Sequence, residues 1–203
     1  MKINQKTTLT LLATLTLLLT VAFTEGFTKL KLKAETNHST LLFSVPISNG
    51  ITRVTGKFND YAIELDFSEE DISQTTLKAI INAESLDTGI SDRDEHLRSK
   101  DFFDTETYPQ ITFESTAITQ TDEGMMVTGV MDFHGVKKSM TIPLKITGRD
   151  GPNTIGFQSR FVVKRSDFNL ASDFQHTSME NFIGDEISVE LDFWTKKRKD
   201  KKE

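Results

Sequence analysis

Residues equipped for acid–base or metal chemistry are few in this sequence. Four histidines, His38, His96, His134 and His176, stand apart with no His-x-x-x-His spacing. The chain has no cysteine, which excludes disulfides, thiolate metal sites, a Cys nucleophile and a lipidated N-terminal Cys. One concentration remains: Asp92, Asp94, Glu95 and Asp101 around His96, a composition that can serve general acid–base catalysis. The competing reading is a solvated helix face, with Asp94 and Arg98 paired at i,i+4 spacing. No Gly-x-Ser-x-Gly elbow, phosphate loop or dinucleotide fingerprint accompanies the cluster. The residues therefore predict a non-enzyme without a metal or a cofactor, and a hydrolase-type site at Asp92–Asp101 is the alternative.

The elements that must position these groups are strands. From Leu41 onward the dominant period is two, the mark of strands with one buried face. Ile63, Leu65 and Phe67 alternate with Ala62, Glu64 and Asp66. The same pattern recurs in Leu77–Ala83, Ile111–Ala117, Val127–Phe133, Met140–Ile146, Ile155–Val163 and Ile187–Phe193. With 42–47 and 51–58 added, the spacing predicts eight or nine strands. Short turn sequences such as Ser48-Asn49-Gly50, Asp122-Glu123-Gly124 and His134-Gly135 imply antiparallel neighbours. The fold class expected is mainly β: a closed antiparallel barrel of about eight strands, because closure removes exposed edges. A two-sheet sandwich is the open alternative. Ser91–Ser99 breaks the pattern and reads as a short helix, capped by Ser91 or Asp92, that carries Phe102-Phe103 over one end of the barrel.

An eight-strand barrel holds either filler side chains or one small ligand. The inward set includes Phe67, Phe113, Phe133, Phe157, Phe161 and Phe193, and none of it is charged. Small residues on the same faces (Ala79, Ala83, Ser115, Ala117, Gly129 and Ser159) favour a cavity, as do Met125, Met126, Met131 and Met140. A filled Phe-rich core acting as an interaction module is the other reading.

Charge divides the chain into three. Overall it is −6, but residues 1–33 carry +4 and residues 196–203 another +4, which leaves −14 on the stretch between. A body this acidic repels phosphate backbones, so nucleic acid is not an expected partner. Lys2 and Lys6 precede the uncharged run Thr7–Phe23, the arrangement of an export signal over residues 1–26. Left uncleaved, it would act as a membrane anchor, although it is shorter than a comfortable span. The basic run over 196–203 reads as a solvated tail or as a weak contact with anionic lipid. The expected destination is periplasmic or secreted, and a homo-oligomer is left open.

The central run resembles a known family. It comprises Ser85-Leu86-Asp87-Thr88-Gly89, Arg93-Asp94-Glu95-His96-Leu97-Arg98-Ser99, Asp101-Phe102-Phe103-Asp104 and Tyr108-Pro109. Further matches are His38-Ser39, Phe43-Ser44-Val45, Val54-x-Gly56-x-Phe58, Val127-Thr128-Gly129 and Arg165-Ser166-Asp167-Phe168. Together they are similar to the YceI-like family of exported bacterial proteins, described as polyisoprenoid-binding, with a lipocalin-like barrel. The resemblance gives a YceI-like domain over residues 38–195. Two positions depart from it: Pro46-Ile47 stands where many members carry a basic residue or His, and Asn169 where Gly is frequent. The resemblance implies an isoprenoid lipid or quinone as partner, carried inside the barrel. Its chain would be lined by Phe43, Val45, Phe67, Phe113, Met131, Phe133, Phe157 and Phe161. A lid or mouth would comprise Arg93, Asp94, His96, Leu97, Phe102, Phe103, Tyr108, Arg165, Asp167 and Phe168. A transient contact with a membrane surface would go with such a cargo.

Overall fold

Alternation of apolar and polar side chains turns most of the described residues into antiparallel strands. A computed structural model describes residues 28–198 apart from Ser178, Glu180 and Asn181. The expected export signal and the end of the basic tail lie outside the described residues. The strands are β1 (Lys29–Ala34), β2 (Thr40–Ile47), β3 (Thr52–Phe58), β4 (Tyr61–Ser68), β5 (Thr76–Asn82) and β6 (Leu86–Asp87). After the helix α1 (Ser91–Arg98) come β7 (Gln110–Thr121), β8 (Gly124–Phe133), β9 (Val136–Arg149), β10 (Thr154–Lys164) and β11 (Glu186–Lys197).

Hydrogen bonding runs β1-β4-β5-β7-β8-β9-β10-β11, and β11 returns to β1, so eight antiparallel strands form a closed barrel. The closing ladder is short, from Leu32↔Lys197 to Ala34↔Thr195. The earlier half of β11 pairs instead with β2, from Ser188↔Ser44 to Asp192↔Thr40. β2 carries β3 and the two-residue β6 as a flap beside the ring. The sandwich alternative is thereby excluded.

The barrel starts earlier than position 38 and runs past 195. Lys29-Leu30-Lys31-Leu32-Lys33 is a strand, with Leu32 fully buried and paired to Leu65. Its outward lysines dominate the local composition and disguise it as the tail of a basic leader. Lys196 and Lys197 likewise belong to β11.

One end of the barrel is solid. Leu32, Leu65, Phe67, Ile155 and Phe157 are among its largest fully buried side chains. The Phe67 and Phe157 rings meet edge to face at 5.9 Å, and Phe157 stacks on Phe193 at 5.2 Å. Thr195 is also buried here and donates its hydroxyl to the Ile155 carbonyl at 2.9 Å, which satisfies an otherwise costly polar group.

Small inward residues do less to open space than their positions imply. A bulge between Ser115 and Ala117 shifts β7 by one residue, so Ala117 faces solvent and Ile118 is buried. A Cβ on Gly129 would stand 2.5 Å from Phe113 Cζ, so that glycine accommodates a ring. Met125 is buried in the solid half, at Ile118's end of the β7–β8 pair.

Candidate ligand-binding site

The other end of the barrel is hollow. A cavity of about 290 Å³ lies between the strand walls and a two-part cap. The walls contribute Phe43, Val45, Phe113, Met131, Phe133 and Phe161. α1 and the turn after it contribute Leu97, Phe102 and Phe103, and the segment between β10 and β11 adds Phe174, Phe182 and Ile183. Ala79 and Ser159 are the small residues that do open space, and Met131 is the one lining methionine. Among the described residues, four polar ones touch the cavity, Arg93, His96, Arg165 and Ser159, and no carboxylate lines it.

Two expected lining residues, Phe67 and Phe157, lie in the solid half instead. Alternation fixes which face of a strand a side chain occupies, but not its depth along the barrel axis. Of the expected mouth residues, Arg93, His96, Leu97, Phe102, Phe103 and Arg165 reach the cavity. Asp94, Tyr108, Asp167 and Phe168 do not; they pin the cap from behind. Phe168 packs its ring 5.3 Å from that of Phe133, and Asp167 forms an ion pair with Lys138. The Tyr108 ring lies over His134 at 4.5 Å and fills the space beside Gly135.

Asp94 is buried on the first turn of α1. Its Oδ1 accepts from the Thr88 amide at 2.9 Å and the Thr88 hydroxyl at 2.5 Å. It does not pair with Arg98, the partner its spacing suggested. Arg98 donates instead to the carbonyls of Glu84 and Leu86, at 2.9 and 2.6 Å. The expected Ser91 or Asp92 cap is also absent: the helix follows Ile90 without a side-chain cap bond. These bonds tie α1 to the 83–88 segment, so the helix is fastened by its side chains rather than by capping.

Arg93 donates through Nε to the Thr88 hydroxyl at 2.7 Å and through Nη2 to the Thr88 carbonyl at 2.9 Å. Arg165 closes the second part of the cap. Its guanidinium donates to the carbonyls of Gly184 (3.2 Å), Leu170 (3.1 Å), Ala171 (3.2 Å) and Ile183 (3.5 Å), binding both ends of the 170–184 segment. Among the described residues, no carboxylate lies within ion-pair distance of either arginine. Asn169 takes the left-handed conformation at φ 52°, so the turn forms there without a glycine. Burial works against the charge on Asp185. It is outweighed by the amide and hydroxyl of Ser166, each donating at 2.9 Å, and by Arg165 and Lys164, so the pKa is held below the usual carboxylate value.

At the rim, His96 Nε2 is 3.2 Å from Asp101 Oδ2 in a half-exposed pair. The His96 ring lies edge-on to Phe102 at 4.9 Å and to Phe174 at 6.0 Å. The acidic cluster is thus divided, with Asp94 directed to Thr88 and Asp101 to His96. Among the described residues, no three His, Asp or Glu side chains converge on a metal-sized site. Such a site can bury an apolar chain and offer cationic donors at one rim.

Phe174 and Phe182 escape sequence reasoning because they sit in a polar, aperiodic stretch. The signal that marks them is indirect: two large aromatics between β10 and β11 with no strand to bury them.

Comparison with known proteins follows the same lines. The YceI-like domain matches residues 32–194. A UPF0312 protein of Yersinia enterocolitica is 33% identical over 154 residues, covering 74% of this chain and 80% of that one. BcnA of Burkholderia cenocepacia superposes with a TM-score of 0.70 at 23% identity, over 79% of this chain and 98% of that one. A polyisoprenoid-binding domain from Saccharophagus degradans, implicated in plant cell wall breakdown, superposes with a TM-score of 0.64 at 18% identity. That match covers 83% of this chain and 99% of the domain.

Proposed function

The chain belongs to the YceI-like domain family, and on that premise we propose that it binds and carries an isoprenoid-type lipid, a quinone or a polyprenyl chain, in the barrel. The observation that carries this is the cavity itself, about 290 Å³ of apolar space with no carboxylate among its described lining residues. At ~10–15 Å³ of such volume per water-sized occupant, it holds on the order of twenty heavy atoms. That is the scale of a short isoprenoid segment. Each buried CH₂ stabilises the complex by ~0.8 kcal/mol, so a chain gains affinity without polar recognition. A longer lipid would leave its remaining length or its headgroup at the rim. Arg93 and His96 stand there, and a phosphate or quinone oxygen is a partner chemically suited to both.

The reading is non-catalytic. His96 has an acidic partner, but the side chains facing the cavity beside it are apolar apart from Arg93, Arg165 and Ser159. The Ser159 hydroxyl already donates to the Pro143 carbonyl at 2.5 Å. A periplasmic or secreted location is part of the proposal and rests on Lys2, Lys6 and the uncharged run that follows.

The test is chemical. Organic extraction of the natively purified protein, read by mass spectrometry, should return a stoichiometric prenyl-containing lipid. A protein that is repeatedly recovered empty and takes up neither ubiquinone nor a polyprenol would refute the reading.

A further inference from the structure

Most large apolar side chains of the described residues are covered, and the exceptions are unevenly placed. Four are exposed: Val162 (50%) and Val130 (36%) stand singly on the outward faces of β10 and β8, whereas Ile51 (84%) and Ile90 (53%) lie outside the strand walls. Ile51 and Ile90 stand at the hollow end. β2 pairs with β11 no further than Ser44↔Ser188, so Val45–Ile47 and their partners Thr52–Val54 continue past the ring as a projecting hairpin. The segment ending in Gly184 is strapped to this hairpin by the Ile47↔Ile183 bridge and the Ser48 amide bond to the Phe182 carbonyl at 2.8 Å. Ile47 and Val54 line the cavity, which makes the hairpin one lip of its mouth, with Ile51 at the tip.

Ile90 follows β6, which pairs with β3 at Lys57↔Asp87 and Phe58↔Leu86, and Thr88 lies against Gly56, so Ile90 stands on the same side of the mouth as the hairpin. It immediately precedes α1, whose Arg93, His96 and Leu97 face the cavity. The tip is also held in an unfavourable conformation. Ser48, Asn49 and Gly50 follow one another with φ of 53°, 56° and 85°, a run of left-handed backbone that only the glycine adopts without cost. An isoleucine presented to water on such a tip gains nothing within this chain.

We propose that the mouth docks on a zwitterionic lipid bilayer, with Ile51 and Ile90 inserted into the interface as a pair of apolar contacts beside the cavity opening. The proposal rests on the reading that the cavity takes an isoprenoid, since such a ligand resides in a bilayer and cannot cross water freely. Docked this way, the cavity is continuous with the membrane's apolar layer, and the chain passes between the two without solvation. Charge argues for zwitterionic rather than anionic lipid. Asp92, Glu95, Asp101, Asp185 and Glu186 at this end are interspersed with Arg53, Arg93, Arg98, Lys100, Lys164 and Arg165, so no single-signed basic face is offered to anionic headgroups. Both described ends of the chain lie elsewhere: Lys29 pairs with Ser68, and Lys196 and Lys197 pair with Lys33 and Leu32, in the solid half.

The absence of native cysteine makes the test direct. Nitroxide labels are placed singly through Ile51→Cys, Ile90→Cys and the outer-wall control Thr119→Cys, and the protein is mixed with phosphatidylcholine vesicles. Positions 51 and 90 should gain accessibility to oxygen and lose it to a polar relaxant, independently of salt, while 119 stays unchanged. In parallel, the double variant Ile51→Ser, Ile90→Ser should deliver a preloaded fluorescent polyprenol to vesicles about tenfold more slowly, with loading unaltered.

Labels at 51 and 90 that remain in water, or a response equal to that at 119, overturn the proposal. So does burial of these labels by protein concentration alone, which would mark a contact between copies of the chain. Docking by a protein that loads no prenyl lipid refutes the cavity reading only. Loading without docking refutes the docking only.

Discussion

Ala79 offers the sharpest discrimination between a hollow barrel and a filled one. It sits mid-strand on β5, opposite Ile63 and Phe113, and faces the cavity. Replacing it with isoleucine adds three carbons and suits a strand. If those carbons enter open apolar space, each contributes ~0.8 kcal/mol, about 2.4 kcal/mol in all. Restricting the new side chain costs about 0.5–1 kcal/mol. The ligand-free protein should therefore gain about 1.5 kcal/mol, or roughly 3–6 °C in Tm for a chain of this size. The same carbons displace an equal length of ligand, so prenyl-lipid affinity should fall roughly fifty-fold. In a close-packed core the substitution would instead force side chains off their rotamers and cost about 1–3 kcal/mol. Calorimetry of delipidated protein, with titration of a short polyprenol, reads both quantities. A destabilised Ala79→Ile protein, or one whose affinity is unchanged, would refute the reasoning.

Three other outcomes are expected. The Tyr61 hydroxyl is buried without a partner, and burial raises its pKa. Tyr61→Phe should thus be neutral or stabilising by about 1 kcal/mol in denaturant unfolding. A raised pKa leaves stability intact below the unfolded-state value near 10 and erodes it above, so wild type should lose stability beyond pH ~10 more steeply than Tyr61→Phe. Asp185 shows the opposite sign: its lowered pKa supplies stability above pH ~4 that disappears as acid protonates it. Asp185→Asn should flatten the acid limb of a stability–pH curve, and an unaltered limb would contradict the role given to its Ser166 bonds. Arg165→Met strands the carbonyls at both ends of the 170–184 segment and should cost about 3 kcal/mol, with hydrogen-exchange protection lost first in that segment.

Much of the barrel is legible because its signal is local. Ile155, Phe157, Ser159, Phe161 and Val163 alternate with outward neighbours, and each lies on the inner face in the structure. Short turns disclose antiparallel order for the same reason. What escapes is set by partners distant in sequence. β1 is a strand because β4 and β11 flank it, and nothing in a lysine-rich hexapeptide announces them. The β7 bulge inverts Ala117 and Ile118 with no glycine on β7 itself to mark it. In the site, the family motif delivers Arg93, His96 and Phe103 to the cavity, yet it cannot separate residues that face the ligand from those that brace the cap. Asp94 and Arg93 are adjacent in the motif and meet at Thr88 from different sides. Depth within the barrel, which divides Phe157 from Phe161, is a property of the closed ring and of no single strand.

The ladder that closes the ring also governs how the protein can be made. β1 is among the first described segments to leave the ribosome, and its partner β11 is the last. Until β11 arrives, β1, β2 and β10 each lack a neighbour. Folding in step with translation therefore has no stable intermediate stopping place, and such distant pairing is slow to form. A polypeptide truncated anywhere before Glu186 keeps bare edges that invite proteolysis or aggregation. Emergence of β11 is thus a condition of folding, and that strand acts as a checkpoint on the integrity of the barrel.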